Sequence, residues 1–452
     1  MKILHQLINL MVNKIEIVFL IIGIVFIWNH ISKKKKKEEY AKQALKKALQ
    51  NDAAEPLTLH PEVDPKLCAG CGACTRVCPE GDILSLINHK AVLVSPTKCV
   101  GHGECERACP FDAIKLIFGT KTRGHDIPRL NSNYETNVPG LYIAGELGGM
   151  GLIRNAIKQG VLATQDAIQK LKSNLPAQYD VIVVGAGPAG LASTLACIAA
   201  KKTYLCIEQN SFGGSVSNFP RQKIVMTAPA QLPIFGEMKF SKGKVSKEDL
   251  LEFWQDIRKK AGVKIQENTT FKNLENSDGV FRVTTDTGIF TSRKVILSLG
   301  VRGSPRKLGL ANEDLPKVTY NLLDPSQYQD KDLAVVGGGN AAVEAAQYLA
   351  KAQYKNRVTL LVRGKDLDRC NDENRRIIYE MKQKSMLQIL FETHVSKIEA
   401  EQINVTYKAQ AINLKNDYLF VFAGTESPHK FLMGLGIQIE KKFGEALAKV
   451  KP

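Results

Sequence analysis

The hydrophobic positions of this chain form three separate patterns. One continuous apolar stretch lies near the N-terminus and is strictly apolar from Ile17 to Trp28. Two short apolar runs, YDVIVV at 179–184 and LAVV at 333–336, are each followed by glycines and then by an apolar helical pattern. Short apolar runs of this kind are typical of parallel strands that are buried on both faces. The pattern predicts one N-terminal helix and two α/β folds further along the chain.

The N-terminal apolar stretch predicts a transmembrane helix. Residues 15–31 would span about 25 Å as a helix, at the short end of what crosses a hydrocarbon core of about 30 Å. Five lysines follow at 33–37, and the positive-inside rule places that end in the cytoplasm. We therefore predict a single-pass signal anchor at 1–32 in the cell inner membrane, with the catalytic domains in the cytoplasm and a basic helical linker at 33–65. A cleaved signal peptide and a buried core helix are the alternatives.

Composition and charge narrow the classes of function. Hydrophobic residues make up 44% and charged residues 24% of the 452 residues, so a fibrous or wholly disordered chain is excluded. The net charge is +17, and the first 50 residues hold ten lysines against three glutamates. The surplus over the rest of the chain is mild, and no basic tract is interleaved with aromatic residues. We therefore expect no nucleic-acid partner.

Seven of the ten cysteines lie between Cys68 and Cys109. This crowding is typical of metal ligands and indicates a reducing compartment. The run CAGCGACTRVCP has the spacing Cys-x2-Cys-x2-Cys-x3-Cys-Pro of bacterial ferredoxins. Its four cysteines are Cys68, Cys71, Cys74 and Cys78. The run CVGHGECERACP repeats this spacing with a histidine at the second position, and its four residues are Cys99, His102, Cys105 and Cys109.

The duplicated run resembles two-cluster ferredoxins, which implies an α+β module at 66–118. The resemblance assigns the first cluster to Cys68, Cys71, Cys74 and Cys109. It assigns the second cluster to Cys78, Cys99, Cys105 and His102. A zinc site or disulfides are the alternatives for the first site. Three hypotheses remain for the second site: a 4Fe-4S cluster with a histidine ligand, a 3Fe-4S cluster on three thiolates, or the loss of the cluster. A neutral imidazole ligand would raise the reduction potential.

The first glycine-rich segment carries a dinucleotide-binding pattern. The strand YDVIVV leads into GAGPAG, which holds Gly185, Gly187 and Gly190, and an apolar helix follows. The next strand ends at Glu208, 23 residues after Gly185. The glycines permit a tight turn and close approach of a pyrophosphate to the helix N-terminus, and the acid suits ribose hydroxyls.

A second copy of the pattern lies downstream. Its three motif positions are held by Gly337, Gly339 and Ala342. The next strand leads to Arg363, where an NAD site would carry an acid. With Lys365 and Arg369 nearby, Arg363 suits the 2′-phosphate of NADP(H), so we expect this nucleotide, with NAD(H) as the alternative. The other interpretation is that these are solvated loop charges.

The two folds, with VILSLGVRGSP between them, resemble the thioredoxin-reductase-like flavoproteins. The resemblance implies that FAD binds the first fold and NAD(P)H the inserted second fold. The family closes its FAD site with a motif T-x-x-P-G-x-x-x-A-G-D near the C-terminus. Here that motif lies upstream, at 136–146, and ends in Gly145 and Glu146. Glu146 replaces the aspartate that contacts the ribityl chain of the flavin. We therefore predict a circular permutation.

The predicted fold class is α/β, with two Rossmann-like domains, a small α+β two-cluster ferredoxin module and one N-terminal transmembrane helix. The FAD domain is expected at 119–304, with its permuted closing segment at 119–172. The NAD(P)H domain is expected at 305–417, and the return to the FAD domain at 418–452.

The predicted function is that of a membrane-anchored NAD(P)H-dependent flavoprotein oxidoreductase. It would pass electrons between NAD(P)H, FAD and the clusters to an unknown acceptor, which is a protein or a small molecule. A homodimer is a further expected assembly. No Cys-x-x-Cys pair occurs in the second fold, where Cys370 is alone, and Cys197 and Cys206 are expected in the core of the first fold. The alternatives are a low-molecular-weight disulfide reductase, like the bacillithiol-type members of the family, and a non-enzymatic scaffold or electron-carrier subunit.

Overall fold

The chain divides into two compact units, Met1–Ile117 and Phe118–Pro452. The computed structural model describes residues 2–50, 59–78, 81–96, 99, 101–120, 124–148, 151–172, 175–226, 229–241, 244–300, 305–367, 369–424 and 428–446. For residues 2–20, 22, 47, 50, 125, 226, 372, 445 and 446 it describes only the backbone.

The first unit combines a long helix with a small α+β module. Its helices are α1 (Lys2–Gln50), α2 (Ala73–Val77) and α3 (Glu104–Arg107). Its strands are β1 (His60–Val63), β2 (Leu84–Ile87), β3 (Lys90–Leu93) and β4 (Ile114–Phe118). Strand β1 pairs with β4 and β2 pairs with β3, both antiparallel. The core between them is small, and two of its buried residues are Cys68 and Cys74.

Helix α1 continues from the predicted anchor into the predicted basic linker. Among the residues that the structure describes, no helix has a stretch long and apolar enough to cross a membrane. The transmembrane anchor predicted at 1–32 stays a prediction, and the side chains of residues 1–20 lie outside the described residues. The linker is helical as predicted up to Gln50, but one of its faces packs on β2: Ala41 is only 1% exposed.

The second unit holds the remaining elements. Its helices are α4 (Ile153–Gln169), α5 (Pro188–Ala199), α6 (Lys247–Ala261), α7 (Asn340–Leu349), α8 (Asp372–Gln383) and α9 (His429–Gly434). Its strands are β5 (His125–Pro128), β6 (Leu141–Ile143), β7 (Tyr179–Val184), β8 (Tyr204–Ile207), β9 (Ile224–Met226), β10 (Ala230–Leu232), β11 (Gly236–Met238), β12 (Lys244–Ser246), β13 (Ile265–Gln266), β14 (Phe271–Ser277), β15 (Val280–Thr285), β16 (Ile289–Leu297), β17 (Val318–Thr319), β18 (Asp332–Val336), β19 (Arg357–Leu361), β20 (Gln388–Leu390), β21 (Thr393–Ile398), β22 (Gln402–Tyr407), β23 (Gln410–Lys415), β24 (Tyr418–Val421), β25 (Ile439–Lys442) and β26 (Glu445–Ala446).

The first sheet has the strand order β13-β8-β7-β16-β15-β14, and β6 also pairs with β16. Val295 of β16 is aligned with Ile182 of β7 and with Leu141 of β6, and both pairings are parallel. All three residues are fully buried, as expected for strands with covered faces. The permuted closing segment at 119–172, called the upstream segment below, therefore contributes strand β6 to the sheet of the first glycine-rich fold.

Local sequence explains the helix ends around this sheet. The N-cap of helix α6 is Ser246, whose hydroxyl accepts a hydrogen bond from the N–H of Asp249. The residue after its last turn is Gly262, which has φ +62. A serine N-cap and a left-handed glycine after the last turn are the preferred end residues. The buried face of α6 carries Leu250, Trp254 and Ile257 at helical spacing, which fixes the side that packs on the core.

The second sheet has the order β17-β24-β18-β19-β20 and is parallel throughout. This corrects one expected boundary: β24 was expected to open the return to the first fold at residue 418, but it pairs with β18 inside the second sheet. A buried run such as YLFV fits any parallel sheet, so its pattern does not specify the partner. The return comes with α9 and β25, where Leu432 and Leu435 join the first fold's core and β25 pairs with β5.

Candidate functional site: two glycine cradles and two cysteine-lined cavities

The first glycine-rich turn lies between β7 and α5. Gly185 has φ +102, and a Cβ there would lie 2.5 Å from the carbonyl oxygen of Ser298. A Cβ on Gly190 would lie 1.8 Å from the carbonyl oxygen of Gly185, so neither position accepts a side chain. Gly187 differs, because its Cβ would have no closer protein neighbour than Cα of Gly214 at 3.8 Å. The protein thus leaves space in front of Gly187, the N-cap of α5.

Glu208 follows β8 beside this turn and is 6% exposed. Its carboxylate accepts the N–H of Ala186 at 2.7 Å and the N–H of Asn210 at 3.1 Å. A carboxylate oxygen can accept more than one hydrogen bond, and each oxygen of Glu208 accepts one here. Both oxygens can therefore also accept hydrogen bonds from ribose hydroxyls. The structure therefore places Glu208 beside the glycine turn, where the sequence predicted an acid.

The upstream segment reaches the same edge of the sheet. Because β6 and β7 both run parallel to β16, Gly145 and Glu146 follow β6 at the edge where Gly185 follows β7. The N–H of Gly145 donates to Oε1 of Gln159 at 2.8 Å. Helices α4 and α5 are in close contact, since a Cβ on Gly160 would lie 2.3 Å from the carbonyl oxygen of Ala189.

Two buried polar atoms at this edge have no hydrogen-bond partner in the described structure. They are Nε2 of Gln159, whose Oε1 binds Gly145, and Oγ of Ser298, which adjoins Gly185. Buried polar atoms nearly always find a partner in a complete protein. The glycine turn, the buried acid and the two unpaired polar atoms together fit FAD. The sequence analysis missed Gln159 and Ser298, because nothing in their local pattern indicates that these atoms are buried without a partner.

The second glycine-rich turn lies between β18 and α7. A Cβ on Gly337 would lie 2.6 Å from the carbonyl oxygen of Phe422, whereas a Cβ on Gly339 would meet no atom within 4 Å. Ala342 is 1% exposed and packs against Gly337. Gly339 is the N-cap of α7 and leaves the N–H groups of the first helical turn without a capping side chain. An open helix N-terminus of this kind suits a pyrophosphate, so these residues fit a nicotinamide dinucleotide.

Three basic residues follow β19, the strand next to β18. Arg363, Lys365 and Arg369 are all exposed, and β19 ends two residues before Arg363. This is the edge of the second sheet where the glycine turn also lies. Their contact to a 2′-phosphate stays a prediction.

In the first unit, a cavity of about 300 Å³, open solvent space included, is lined by four cysteines. They are Cys68, Cys71, Cys74 and Cys109, the set assigned to the first cluster. The N–H of Ala91 donates to Sγ of Cys68 at 3.4 Å, and the N–H of Ala113 donates to Sγ of Cys109 at 3.3 Å. Hydrogen bonds of this kind stabilise a thiolate, the form of cysteine that binds iron.

A second cavity, of about 360 Å³ on the same measure, is lined by the other four predicted ligands. They are Cys78, Cys99, His102 and Cys105. The ligand loops of the two cavities have the same backbone, since Gly70 and Gly101 both have positive φ, +70 and +77. A Cβ on either glycine would lie under 3.0 Å from a backbone carbonyl oxygen. The repeat in the sequence is therefore also a repeat in structure.

One thiol in each cavity is hard to ionise without a nearby cation. Burial raises the pKa of Cys105 to about 12, and the neighbouring Cys99 adds to the increase. Burial also raises the pKa of Cys74, with further contributions from Cys68 and Cys71. The iron of a bound cluster supplies the positive charge that such crowded thiolates need. Both cavities therefore fit iron–sulfur clusters by their donor sets.

Among the described residues, no three His, Cys, Asp or Glu side chains are grouped so that they could hold one metal ion. The thiolates of a four-iron cluster each bind a different iron and do not converge on one centre.

Comparisons with known proteins agree with these sites. Residues 182–448 match the family model described as pyridine nucleotide-disulphide oxidoreductase. The chain belongs to this family. Residues 60–110 match a 4Fe-4S dicluster domain. The protein is therefore an FAD-dependent NAD(P)H oxidoreductase with a ferredoxin-like iron–sulfur domain.

Three known proteins illustrate the relationship. Bacilliredoxin reductase Bdr of Bacillus subtilis is 27% identical over 274 residues, which cover 59% of this chain and 83% of that protein. A ferredoxin–NADP reductase of Ignicoccus hospitalis is 31% identical over 178 residues, covering 38% of this chain and 53% of that one. The solved bacillithiol disulfide reductase Bdr (YpdA) of Staphylococcus aureus has a TM-score of 0.51 at 22% identity, covering 58% and 81%. This last likeness shows the fold.

The three cysteines of this family domain lie in its cores, which was predicted for Cys197 and Cys206. Cys197 and Cys206 are 0% and 1% exposed in the first fold, and Cys370 is 3% exposed in the second. Burial raises the pKa of Cys197 and of Cys206 to about 12 each. Thiols of this kind are poor nucleophiles at neutral pH.

Proposed function

We propose that this oxidoreductase passes electrons between NAD(P)H, FAD and two iron–sulfur clusters, and from these to an acceptor outside the chain. The observation that carries the proposal is that one chain holds two glycine-rich turns, each with open space at a helix N-terminus, and two cysteine-lined cavities. FAD, when bound, accepts electrons in pairs from NAD(P)H and releases them singly, which is how iron–sulfur clusters accept them.

The residues of this chain have positioning roles in that function. The open space at Gly187 admits the FAD pyrophosphate, and Glu208 and Nε2 of Gln159 are available to hydrogen-bond the bound cofactor. Gly339 and Arg363 serve the pyrophosphate and the 2′-phosphate of NADP(H). The closing segment acts in the first fold, so we infer that the family's last FAD segment has moved upstream by circular permutation.

Anaerobic titration of the purified protein with NADPH tests this function. We expect the flavin absorbance to bleach first and the cluster absorbance to fall as further NADPH is added. Flavin that bleaches fully while the clusters stay oxidised would contradict electron transfer to the first unit, although the NAD(P)H oxidoreductase activity would remain.

A disulfide reductase is the second candidate. It is favoured by the relative named bacilliredoxin reductase, which aligns over 83% of its length. The absence of a Cys-x-x-Cys pair from the second fold is a property of this sequence and agrees with a bacillithiol-type reductase. NADPH oxidation that depends on bacillithiol disulfide, and that persists after Cys71 is changed to Ser, would favour this candidate over the cluster pathway.

We further propose that residues 1–32 of α1 anchor the protein in the inner membrane, with the cluster module and the second unit in the cytoplasm. Its support is the exposure of apolar side chains ahead of the five lysines: Phe26 is 74% and Trp28 70% exposed. An exposed apolar helix followed by a lysine cluster favours a lipid environment. Protein lacking residues 1–32 should lose sedimentation with membranes and keep its FAD. Full-length protein that stays in the supernatant without detergent would refute the anchor.

A further inference from the structure

Helix α1 is attached to the cluster module along one face. Glu38, Ala41, Leu45 and Ala48 recur at helical spacing and are less exposed than their neighbours, with Ala41 1% exposed. By contrast, every residue from Ile24 to Ile31 is exposed. The part of the predicted linker from about residue 37 to residue 49 is therefore an integral part of the first unit.

Helix α1 contacts the turn between β2 and β3, and it also contacts Asp82 just ahead of β2. Oε1 of Glu38 accepts the backbone N–H of Asn88 at 3.1 Å, and Nζ of Lys37 lies 3.6 Å from Oδ1 of Asp82. The Asn88 N–H, followed by Lys42, lowers the pKa of Glu38, so the carboxylate is charged at neutral pH. Asn88 and His89 both have positive φ, +49 and +58, a conformation that needs support from its surroundings.

The same turn leads directly to a ligand of the first cavity. Gly70 lies against His89, since a Cβ there would be 2.1 Å from the carbonyl oxygen of His89. Nζ of Lys90 donates to the carbonyl oxygen of Cys68 at 2.6 Å, and the N–H of Ala91 donates to Sγ of Cys68 at 3.4 Å. Helix α1, the turn and Cys68 thus form one continuous chain of contacts.

We infer that α1 belongs to the first cluster site and that Glu38 is a positioning residue for it. Glu38 holds the turn so that the Ala91 N–H stays on the sulfur of Cys68. A hydrogen bond to a cluster sulfur stabilises the more negative, reduced cluster and therefore raises the reduction potential. The inference rests on the proposed cluster at Cys68, Cys71, Cys74 and Cys109.

The sign of the potential change separates positioning from simple electrostatics. Removing a negative charge near a cluster raises its potential, because the reduced state is then repelled less. Losing the Ala91 N–H from the sulfur lowers the potential. Glu38→Ala removes both the charge and the acceptor, whereas Glu38→Gln keeps an acceptor oxygen. Glu39→Ala removes the same charge from an exposed neighbour on the same helix and is the matched control.

The experiment is a redox titration of the full-length protein, with the first cluster followed by electron paramagnetic resonance. We expect a lower midpoint potential in Glu38→Ala, and an unchanged or higher one in Glu38→Gln and Glu39→Ala. Ala41→Phe, which keeps Glu38 and adds no charge but forces α1 off β2, should lower the potential as Glu38→Ala does. Hydrogen exchange over residues 84–93 should be faster only in these two variants.

A potential in Glu38→Ala that rises as it does in Glu39→Ala would overturn the positioning role and leave only a charge effect. Unchanged exchange in both Glu38→Ala and Ala41→Phe would overturn the attachment of α1 to the turn. Iron analysis of the unmutated protein separates this failure from that of the proposed function. Protein without a cluster on Cys68, Cys71, Cys74 and Cys109 would refute both.

Discussion

The hydroxyl of Tyr142 donates a hydrogen bond of 2.8 Å to Oδ2 of Asp166 and thereby joins strand β6 to helix α4. Tyr142 is fully buried. The other carboxylate oxygen of Asp166, Oδ1, accepts a hydrogen bond of 2.7 Å from Nδ2 of Asn133. Lys170 pairs with the same carboxylate at 2.7 Å. All four residues belong to the upstream segment, so this network holds together the part of the first fold that precedes its first glycine turn.

Tyr142→Phe should lower the free energy of unfolding of the second unit by about 1.5–3 kcal/mol, because a buried hydrogen bond to a charged group is lost. FAD should also be retained less well, since β6 leads directly to Gly145. Urea unfolding and flavin content measure the two effects. Tyr179→Phe, on strand β7 of the same sheet, is the control. Full FAD retention in Tyr142→Phe despite the lost stability would show that the segment is not needed at the flavin.

The same network predicts an acid dependence of stability. Burial by itself would raise the pKa of Asp166, but hydrogen bonds from Lys170, Tyr142 and Asn133 hold it below the ordinary value of 3.8. The carboxylate therefore contributes its full stability above that value, and the contribution is lost as the pH falls through the lower, folded pKa. In Asp166→Asn, the fall in stability between about pH 5 and pH 2 should be smaller than in the unmutated protein. An equal fall in both proteins would contradict this assignment.

A matched pair of glycine substitutions tests which fold binds which nucleotide. Gly187→Ala and Gly339→Ala each place a methyl group in open space at a helix N-cap where φ is negative, so neither strains the fold. We expect the first to lose FAD and the second to raise the KM for NADPH while FAD stays bound. Thermal unfolding of the FAD-free proteins should be unchanged, as in the control Gly434→Ala, whose added methyl also meets no atom within 4 Å. Loss of FAD in Gly339→Ala would reverse the assignment.

Arg363→Ala should weaken NADPH about tenfold or more and leave NADH nearly unchanged, because a charge-assisted bond to the 2′-phosphate is lost. KM values for both nucleotides in both proteins measure the effect. Arg376→Ala removes an exposed arginine that pairs with Glu380 on α8 and is the control. Equal KM values for NADPH and NADH in the unmutated protein would refute the preference.

His102→Cys distinguishes the three hypotheses about which cluster, if any, the second cavity holds. If His102 binds iron, the variant should keep a 4Fe-4S cluster with a lower potential, since a thiolate adds negative charge. If a three-iron cluster sits on Cys78, Cys99 and Cys105, the variant should convert it to a four-iron cluster. Iron analysis and electron paramagnetic resonance separate these results. One cluster per chain in both proteins would show that the second site is empty of iron.

Residue spacing predicted much of the candidate site. The cysteine runs, the two glycine motifs and Glu208 all lie within short segments whose own backbone sets their geometry, so the structure places them as the sequence predicts. Gln159 and Glu38 were not recognised. Their roles depend on contacts with Gly145 and Asn88, which lie 14 and 50 residues away along the chain. No local pattern indicates such a contact.

The sequence by itself determined which chemistry this chain carries, because thiol and glycine spacing over a few residues decides whether a cluster or a pyrophosphate can be held. It also determined which strands are buried, because an uninterrupted apolar run needs cover on both faces. Only the tertiary structure decided what each buried surface packs against: β24 on β18, β6 on β16, and α1 on the turn at Asn88. Hydrophobic burial is not directional, so a sequence pattern states that a face must be covered without naming the segment that covers it.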